Sequence, residues 1–167
     1  MHAKTVSYQF GLSSYALQRN LEELSQEESL VGPQKSGNCL NWVLGHLTRS
    51  RNQALLVLGQ KPLFPMEDFH TYSGDEPFTR EHAIPFEELK RRFKALEEPL
   101  MKAVSGMSPD AMATPAPFSP TGNPDETMGS LLAAFAFHEA YHVGQTGILR
   151  RVAGKPGAVR SPSVPAM

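Results

Sequence analysis

The stretch from Leu131 to Val152, LLAAFAFHEAYHVGQTGILRRV, decides the predicted fold. Its larger apolar side chains recur every three or four residues, which is the period of an α-helix with one buried face. His138 and His142 follow the same step, so they lie one above the other on one side of that helix. Gly154 closes the segment, and we predict a helix over residues 125–153.

Three more segments of the chain show a helical period of apolar residues. We predict helices over residues 5–30, 38–58 and 85–107. Pro99 interrupts the last of these, so we expect a kink or a break near Glu97. The connections at 60–84 and 108–124 are long and rich in proline, and loops of this length often line binding sites.

No strand-like alternation and no internal repeat accompany these helices. The predicted fold class is therefore all-α: an up-and-down four-helix bundle with long loops between helices 2 and 3 and between helices 3 and 4. We predict one domain over residues 1–154, because 167 residues are enough for one core and too few for two. The Gly-, Pro- and Ser-containing segment 155–167 is predicted to be a flexible tail.

Charge and cysteine content exclude several classes of function. Sixteen basic residues nearly balance 17 acidic ones, so no net field favours nucleic acid or an anionic membrane. No stretch is long and apolar enough to span a membrane, and no apolar signal region follows Met1. Cys39 has no second cysteine to pair with, and its apolar neighbours predict a small buried hydrophobe. We predict a cytoplasmic protein.

The pair His138 and His142 is the strongest chemical signal in the sequence. Two imidazoles at positions i and i+4 can converge on one ion at the ~2.0–2.1 Å that Zn–N bonds require. A metal would satisfy both rings at once, whereas burying both without a partner is costly. The alternative is that each ring bonds a carboxylate or a backbone group.

Residues 138–142 also match H-E-x-x-H, the pattern of zinc proteases in which Glu139 would activate water. Those enzymes usually take a third ligand from further along the chain, but no His, Asp, Glu or Cys follows His142. Glu139 lies about 100° round the helix from His138, so it faces the site, a neighbouring helix or solvent. We retain Glu139 as a candidate catalytic residue.

A third ligand must therefore come from upstream. His46 is the best candidate, because it lies in the middle of the second predicted helix, beside the apolar stripe. His2 is terminal, while His70 and His82 lie in or beside a loop, so we expect these three at the surface.

Two stretches resemble signatures of the DinB-like family, also called the YfiT-like metal-dependent hydrolases. Residues 38–47, NCLNWVLGHL, are similar to its second-helix signature, and residues 138–147, HEAYHVGQTG, to its fourth. The likeness covers about residues 5–154. It implies a four-helix bundle with a metal site formed by His46, His138 and His142, and a homodimer.

The resemblance also bears on activity. Family members of known activity include transferases that depend on low-molecular-weight thiols, and related ring-opening or isomerising enzymes. Three neutral imidazoles leave a coordination position open, and they suit zinc or nickel best, with iron as a further candidate. We therefore predict a metal-dependent enzyme, a hydrolase or a thiol S-transferase, whose partner is a small-molecule substrate.

Two other hypotheses about the function remain open. One is a metal-binding or stress-associated dimeric bundle without turnover. The other is a plain helical bundle whose histidines fill the core. We expect no additional domain of the kind found in the multidomain transferases, and this weakens the prediction of a thiol transferase.

Overall fold

The computed structural model describes residues 2–33, 37–74 and 78–159. Within these ranges the chain forms seven α-helices and no strand, so the predicted all-α class is confirmed. The helices are α1 (Ala3–Leu21), α2 (Gln26–Ser29), α3 (Leu40–Val57), α4 (Phe86–Ala95), α5 (Glu97–Ser105), α6 (Pro109–Ala113) and α7 (Met128–Val152). Two short 3₁₀ helices, Met66–Tyr72 and Arg80–His82, lie between α3 and α4. From residue 160 on, the predicted tail lies outside the described residues.

Two of the predicted helices are each divided in two. The first is interrupted at Glu23, whose φ of 58° lies in the left-handed region and cannot continue a helix. Ser25 then starts α2 with a capping box, in which its side chain and that of Glu28 each accept the other's backbone N–H. The third predicted helix is divided at Leu96, which separates α4 from α5. The break expected from Pro99 is therefore confirmed.

Helices α1, α3, α4–α5 and α7 form the bundle, and α7 packs against both α1 and α3. The amphipathic patterns meet in a core of side chains with no exposed surface, among them Leu44, Leu47, Leu89 and Leu132. Burying each such leucine stabilises the fold by about 1.5–3 kcal/mol. Of the helices in the described ranges, none has the length and hydropathy needed to cross a bilayer.

The first and last helices of the bundle run in the same direction. Asn20, near the end of α1, donates to Thr146, near the end of α7, at 2.9 Å. Halfway along the same two helices, the carbonyl of Phe10 and the carboxylate of Glu139 accept from one guanidinium. Because α1 and α7 run parallel, the middle of α7 lies beside the middle of α1.

Helices α3 and α4–α5 also run parallel to each other. Asn41, at the start of α3, donates to the carbonyl of Ile84, just before α4, and Arg51 further along α3 lies 3.9 Å from the ring centroid of Phe93 on α4. The predicted up-and-down alternation therefore fails at this one connection. Only short loops force neighbouring helices to be antiparallel, and residues 58–85 are long enough to return the chain to the end where α3 began.

Two buried polar side chains fix this long connection to the bundle. Asn52 on α3 accepts from the N–H of Leu63 at 2.9 Å and donates to the carbonyl of Phe64 at 2.7 Å. The hydroxyl of Tyr72 donates to Asn41 Oδ1 at 3.0 Å and accepts from the N–H of Ile84 at 2.8 Å. Burial raises the pKa of Tyr72 to about 12, so the phenol stays neutral and remains a donor.

Candidate metal centre

Three imidazoles from two antiparallel helices converge at one point of the bundle. His46 lies on α3, and His138 and His142 lie one turn apart on α7. One ring nitrogen of each lies within 4.8 Å of the other two. The Nε2 atoms of His46 and His138 are 3.0 Å apart, across 92 residues of sequence. The structure thus brings together the three histidines singled out in the sequence.

The remaining ring nitrogens of two of these histidines are occupied by protein acceptors. Nδ1 of His46 donates to the carbonyl of Tyr72 at 2.8 Å, and Nδ1 of His142 donates to Oε1 of Gln145, also at 2.8 Å. Because these acceptors fix the tautomer, Nε2 of each ring carries no proton and has a free lone pair. Histidines that ligate metals have this arrangement, in which an outer partner orients the ring.

His138 differs from the other two. Its Nδ1 is buried and has no hydrogen-bond partner among the described residues, so one tautomer puts its proton on Nδ1 and a lone pair on Nε2, beside His46. Burial lowers the pKa of His138 to about 4, with smaller contributions from the charges of His142 and His46. Burial also lowers the pKa of His46. Both rings are therefore neutral at pH 7, the state in which imidazole binds a metal.

Aromatic rings pack around the three imidazoles. Trp42 stacks on His46, with ring centroids 4.7 Å apart and planes 10° from parallel. Tyr141 meets His142 edge-on at 5.2 Å. This packing limits rotation of both rings and keeps their nitrogens aimed at the shared point.

Gly45 explains how the acceptor for His46 comes so close to α3. A Cβ at this position would lie 2.2 Å from Cδ1 of Tyr72, so only glycine lets the ring of Tyr72 lie against the helix. The ring is buried, and its packing places the carbonyl of Tyr72 at His46. The roles of Gly45 and Tyr72 were not predicted from the sequence, because they arise from a contact between segments 26 or more residues apart. The role of Gln145 was not predicted either. One signal was present in the sequence, since Gln145 follows His142 by a single helical turn.

Glu139 does not belong to this cluster. Its side chain is 2% exposed, and its Oε2 and Oε1 accept from Nε and Nη2 of Arg51 at 2.7 and 2.6 Å. Burial raises the pKa of Glu139, and the guanidinium of Arg51 opposes that rise. A carboxylate with both oxygens occupied in the core is not placed to act as a base at the imidazoles, so the catalytic role predicted for Glu139 has no support here.

The Arg51–Glu139 ion pair instead joins the four helices of the bundle. Arg51 on α3 reaches Glu139 on α7, and its Nη2 also donates to the carbonyl of Phe10 and to the hydroxyl of Ser14 on α1. The guanidinium lies over Phe93 on α4. With Glu139 in this pair, the buried face of α7 is centred on Glu139. His138 and His142 lie half-buried at the edge of that face, on the side towards α3.

The other three histidines and Cys39 lie outside the cluster of three imidazoles. His2, His70 and His82 are exposed, as expected. Nδ1 of His70 meets the carbonyl of Glu67, and Nδ1 of His82 meets the hydroxyl of Thr79. Cys39 is buried, and burial raises the pKa of its thiol, which fits the predicted role as a small hydrophobe.

A cavity of about 230 Å³ opens beside the imidazoles. His46 and His138 line it, together with Arg49 of α3 and the apolar side chains of Phe118 and Phe135. The two phenylalanine rings meet edge-on, with centroids 6.4 Å apart. Phe118 belongs to the connection before α7, so one of the two long loops does contribute to the cavity.

Comparison with known proteins gives one family and one fold. The family model described as the DinB superfamily matches residues 9–146. No curated protein sequence matches the chain. The fold is similar to that of a conserved protein from Enterococcus faecalis solved by crystallography, with a TM-score of 0.71 and 17% identity, covering 93% of this chain and 99% of that one. At this identity the structural likeness concerns the fold alone.

Proposed function

Because the chain belongs to the DinB superfamily, we propose that it is a metal-dependent enzyme acting on a small molecule, with the ion held by His46, His138 and His142. The observation that carries this proposal is the convergence of three ring nitrogens within 4.8 Å. Two of these rings have their other nitrogen bonded to a protein acceptor. Such preorientation favours ligation over a role as core filler.

The donor set favours zinc or nickel, with iron as a further candidate, because neutral imidazole suits borderline transition metals better than magnesium. Three protein ligands leave a position for a substrate or a water. A divalent ion bound there lowers the pKa of a coordinated water or thiol, or polarises a carbonyl. The cavity beside His46 and His138 gives a small molecule access to that position.

The surroundings favour a thiol S-transferase over a protease-like hydrolase. Within the described ranges, no carboxylate joins the cluster of three imidazoles, and Glu139 is paired with Arg51. A hydrolase of the H-E-x-x-H type needs a carboxylate to take a proton from water. A thiol substrate would need no such base if an ion held by the three histidines lowered the pKa of its S–H.

We expect purified protein to bind one zinc or nickel ion per chain, and His138→Ala to abolish that binding. The measurement is elemental analysis of purified protein, followed by calorimetric titration of chelator-treated protein with each metal. Gln145→Leu keeps all three imidazoles and removes the acceptor of His142, so its metal affinity should fall by about 10–100-fold.

His70→Ala is the matched control, because His70 is exposed and lies outside the cluster; it should bind metal as wild type does. Binding of no stoichiometric metal by wild type, or unchanged binding by His138→Ala, contradicts the metal site. Tight binding without any metal-dependent turnover of thiols with electrophilic acceptors would instead favour the non-catalytic reading.

We also propose that the protein forms a homodimer through one face of α1 and α7. This face consists of Tyr8, Leu12, Tyr15, Phe137, Tyr141 and Ile148, whose exposed fractions range from 50% to 73%. Four of these side chains are aromatic, and a buried aromatic side chain contributes roughly 150–250 Å². The exposed apolar area therefore approaches the roughly 800 Å² per partner of a standard interface and exceeds what monomers usually leave uncovered.

A second copy is the occupant that fits this face best. Residues 5–18 of α1 contain no charged side chain, and within α7 the only carboxylate, that of Glu139, is buried in the core. A face without charges suits the apolar centre of a two-fold interface, where the same patch meets itself.

We expect wild type to sediment as a dimer and Tyr8→Glu or Ile148→Glu to sediment as monomers, because each places a charge in the apolar contact. The measurement is sedimentation equilibrium over a range of protein concentrations. Leu63→Glu is the control, since Leu63 is exposed on the connection between α3 and α4; it should leave the dimer intact. A wild type that is monomeric at every concentration overturns this proposal.

A further inference from the structure

Among the described residues, the wall of the cavity beside the imidazoles contains one arginine and no acidic side chain. Arg49, Ser50 and Gln53 of α3 form the polar side, while Leu131, Ala134 and Phe135 of α7 form part of the apolar side. The guanidinium of Arg49 therefore meets no carboxylate among the described residues of this wall.

Arg49 is not paired with an acid within the described residues. Its one hydrogen bond among these residues is from Nη1 to Oε1 of Gln53 at 3.5 Å, the outer limit of a hydrogen bond. By contrast, Arg91 and Arg92 on α4 both bond Glu88 at 2.7 Å. Arg49 thus keeps most of its five N–H donors available, half-buried at the edge of an apolar cavity.

The position of Arg49 relates it to the imidazoles. It follows His46 by three residues on α3, so the two side chains point to the same side of the helix. A molecule held by the guanidinium in this cavity would extend along the phenylalanine wall towards His46 and His138. The volume of about 230 Å³ is below the roughly 300–1,000 Å³ of pockets for drug-sized ligands, so the occupant is small.

We propose that this cavity binds a small carboxylic acid, whose carboxylate is held by the guanidinium of Arg49 and whose aryl or alkyl body lies against Phe118 and Phe135. This names the class of substrate for the proposed function and rests on that function. A planar guanidinium matches a carboxylate by two parallel hydrogen bonds. The apolar wall contacts the hydrocarbon part of the acid, and the end of the molecule away from its carboxylate faces the imidazoles.

Benzoate is the probe, and its neutral isostere benzamide is the reference ligand. We expect benzoate to bind wild type and Arg49→Gln to weaken that binding by about 10–100-fold, because a hydrogen bond to a charged group is worth about 1.5–3 kcal/mol. Arg49→Lys should restore part of the affinity, since it keeps the charge but not the planar fork. Benzamide should bind more weakly, and equally to wild type and Arg49→Gln.

Chemical-shift titration provides the measurement, carried out on the protein as purified and after treatment with a chelator. The second condition matters because a carboxylate can also bind a metal directly, and such binding would not depend on Arg49. Arg19→Gln is the control, as Arg19 is exposed on α1 and pairs with Glu22 away from the cavity. It should bind benzoate as wild type does.

The outcomes separate this inference from the proposed function. Benzoate binding that is absent in wild type, or equal in wild type and Arg49→Gln, overturns the carboxylate site and leaves the metal analysis untouched. Arg49-dependent binding of benzoate, found with protein that contains no metal as purified and takes up none on titration, supports the carboxylate site and contradicts the proposed function. Arg49-dependent binding in both conditions, together with one metal ion per chain in the purified protein, supports both proposals.

Discussion

Replacing Glu139 by glutamine is expected to lower the free energy of unfolding by about 3–5 kcal/mol, because it leaves Arg51 as an uncompensated buried charge. Both side chains are almost fully buried, with 1% and 2% of their surface exposed. Since small domains are stable by only about 5–15 kcal/mol, this one substitution removes a large part of the total. Urea unfolding followed by circular dichroism measures the change.

A surface pair provides the matched control. Arg19 and Glu22 form an ion pair at 2.8 Å with 46% of each side chain exposed, so Glu22→Gln should cost less than about 1 kcal/mol. If Glu139→Gln costs no more than Glu22→Gln, the ion pair does not hold the bundle together.

The same variant tests the competing role of Glu139. A general base of the H-E-x-x-H type would lose activity on conversion to glutamine while the protein kept its stability. The double substitution Arg51→Met with Glu139→Leu should recover much of the lost stability, because apolar side chains of similar volume replace both charges. Recovery will be incomplete, since the carbonyl of Phe10 and the hydroxyl of Ser14 also lose their donor.

Gly45→Ala should destabilise the protein by about 1–3 kcal/mol or more and weaken metal binding together with it. The new Cβ would lie 2.2–2.7 Å from three ring carbons of Tyr72. The ring cannot move away cheaply, because its hydroxyl is bonded to both Asn41 and Ile84. Overpacking of a rigid core site has a cost of this size. Any displacement of Tyr72 also moves the carbonyl that orients His46.

Gly147→Ala separates this steric effect from helix propensity. An added Cβ there would meet Asn20 at 3.5 Å, which is an ordinary contact. The substitution should therefore be neutral or stabilise the helix by up to about 1 kcal/mol. Thermal unfolding and metal titration of both variants give the comparison. A Gly45→Ala protein as stable as Gly147→Ala would show that Tyr72 does not press on α3.

Much of the fold follows from the sequence, and its departures have local causes. The helical period places all four helices of the bundle, and Pro99 indicates the break at Leu96. The helical period of the apolar residues does not predict two other features of the fold. The left-handed residue Glu23 ends α1 early, and the parallel course of α3 and α4 depends on how the connection between them packs, through Asn52 and Tyr72.

The site was predictable to a different degree for each residue. His138 and His142 follow from helical spacing, whereas the prediction of His46 depends partly on elimination of the other histidines and mainly on the family resemblance. The sequence also contains a pattern that indicates the Arg51–Glu139 pair. Leu44, Leu47 and Arg51 share one buried stripe on α3, and Glu139 lies on the buried face of α7. Opposite charges on two facing apolar stripes predict a pair.

The last helix of the bundle determines when this chain can finish folding. The His46–His138 and Arg51–Glu139 contacts join residues 92 and 88 positions apart, and α1 packs against a helix that begins at Met128. Such pairings raise the contact order above that of bundles whose neighbours are consecutive, and folding slows as contact order rises. During synthesis, the faces of α1 and α3 that pack against α7 therefore stay uncovered until α7 has left the ribosome.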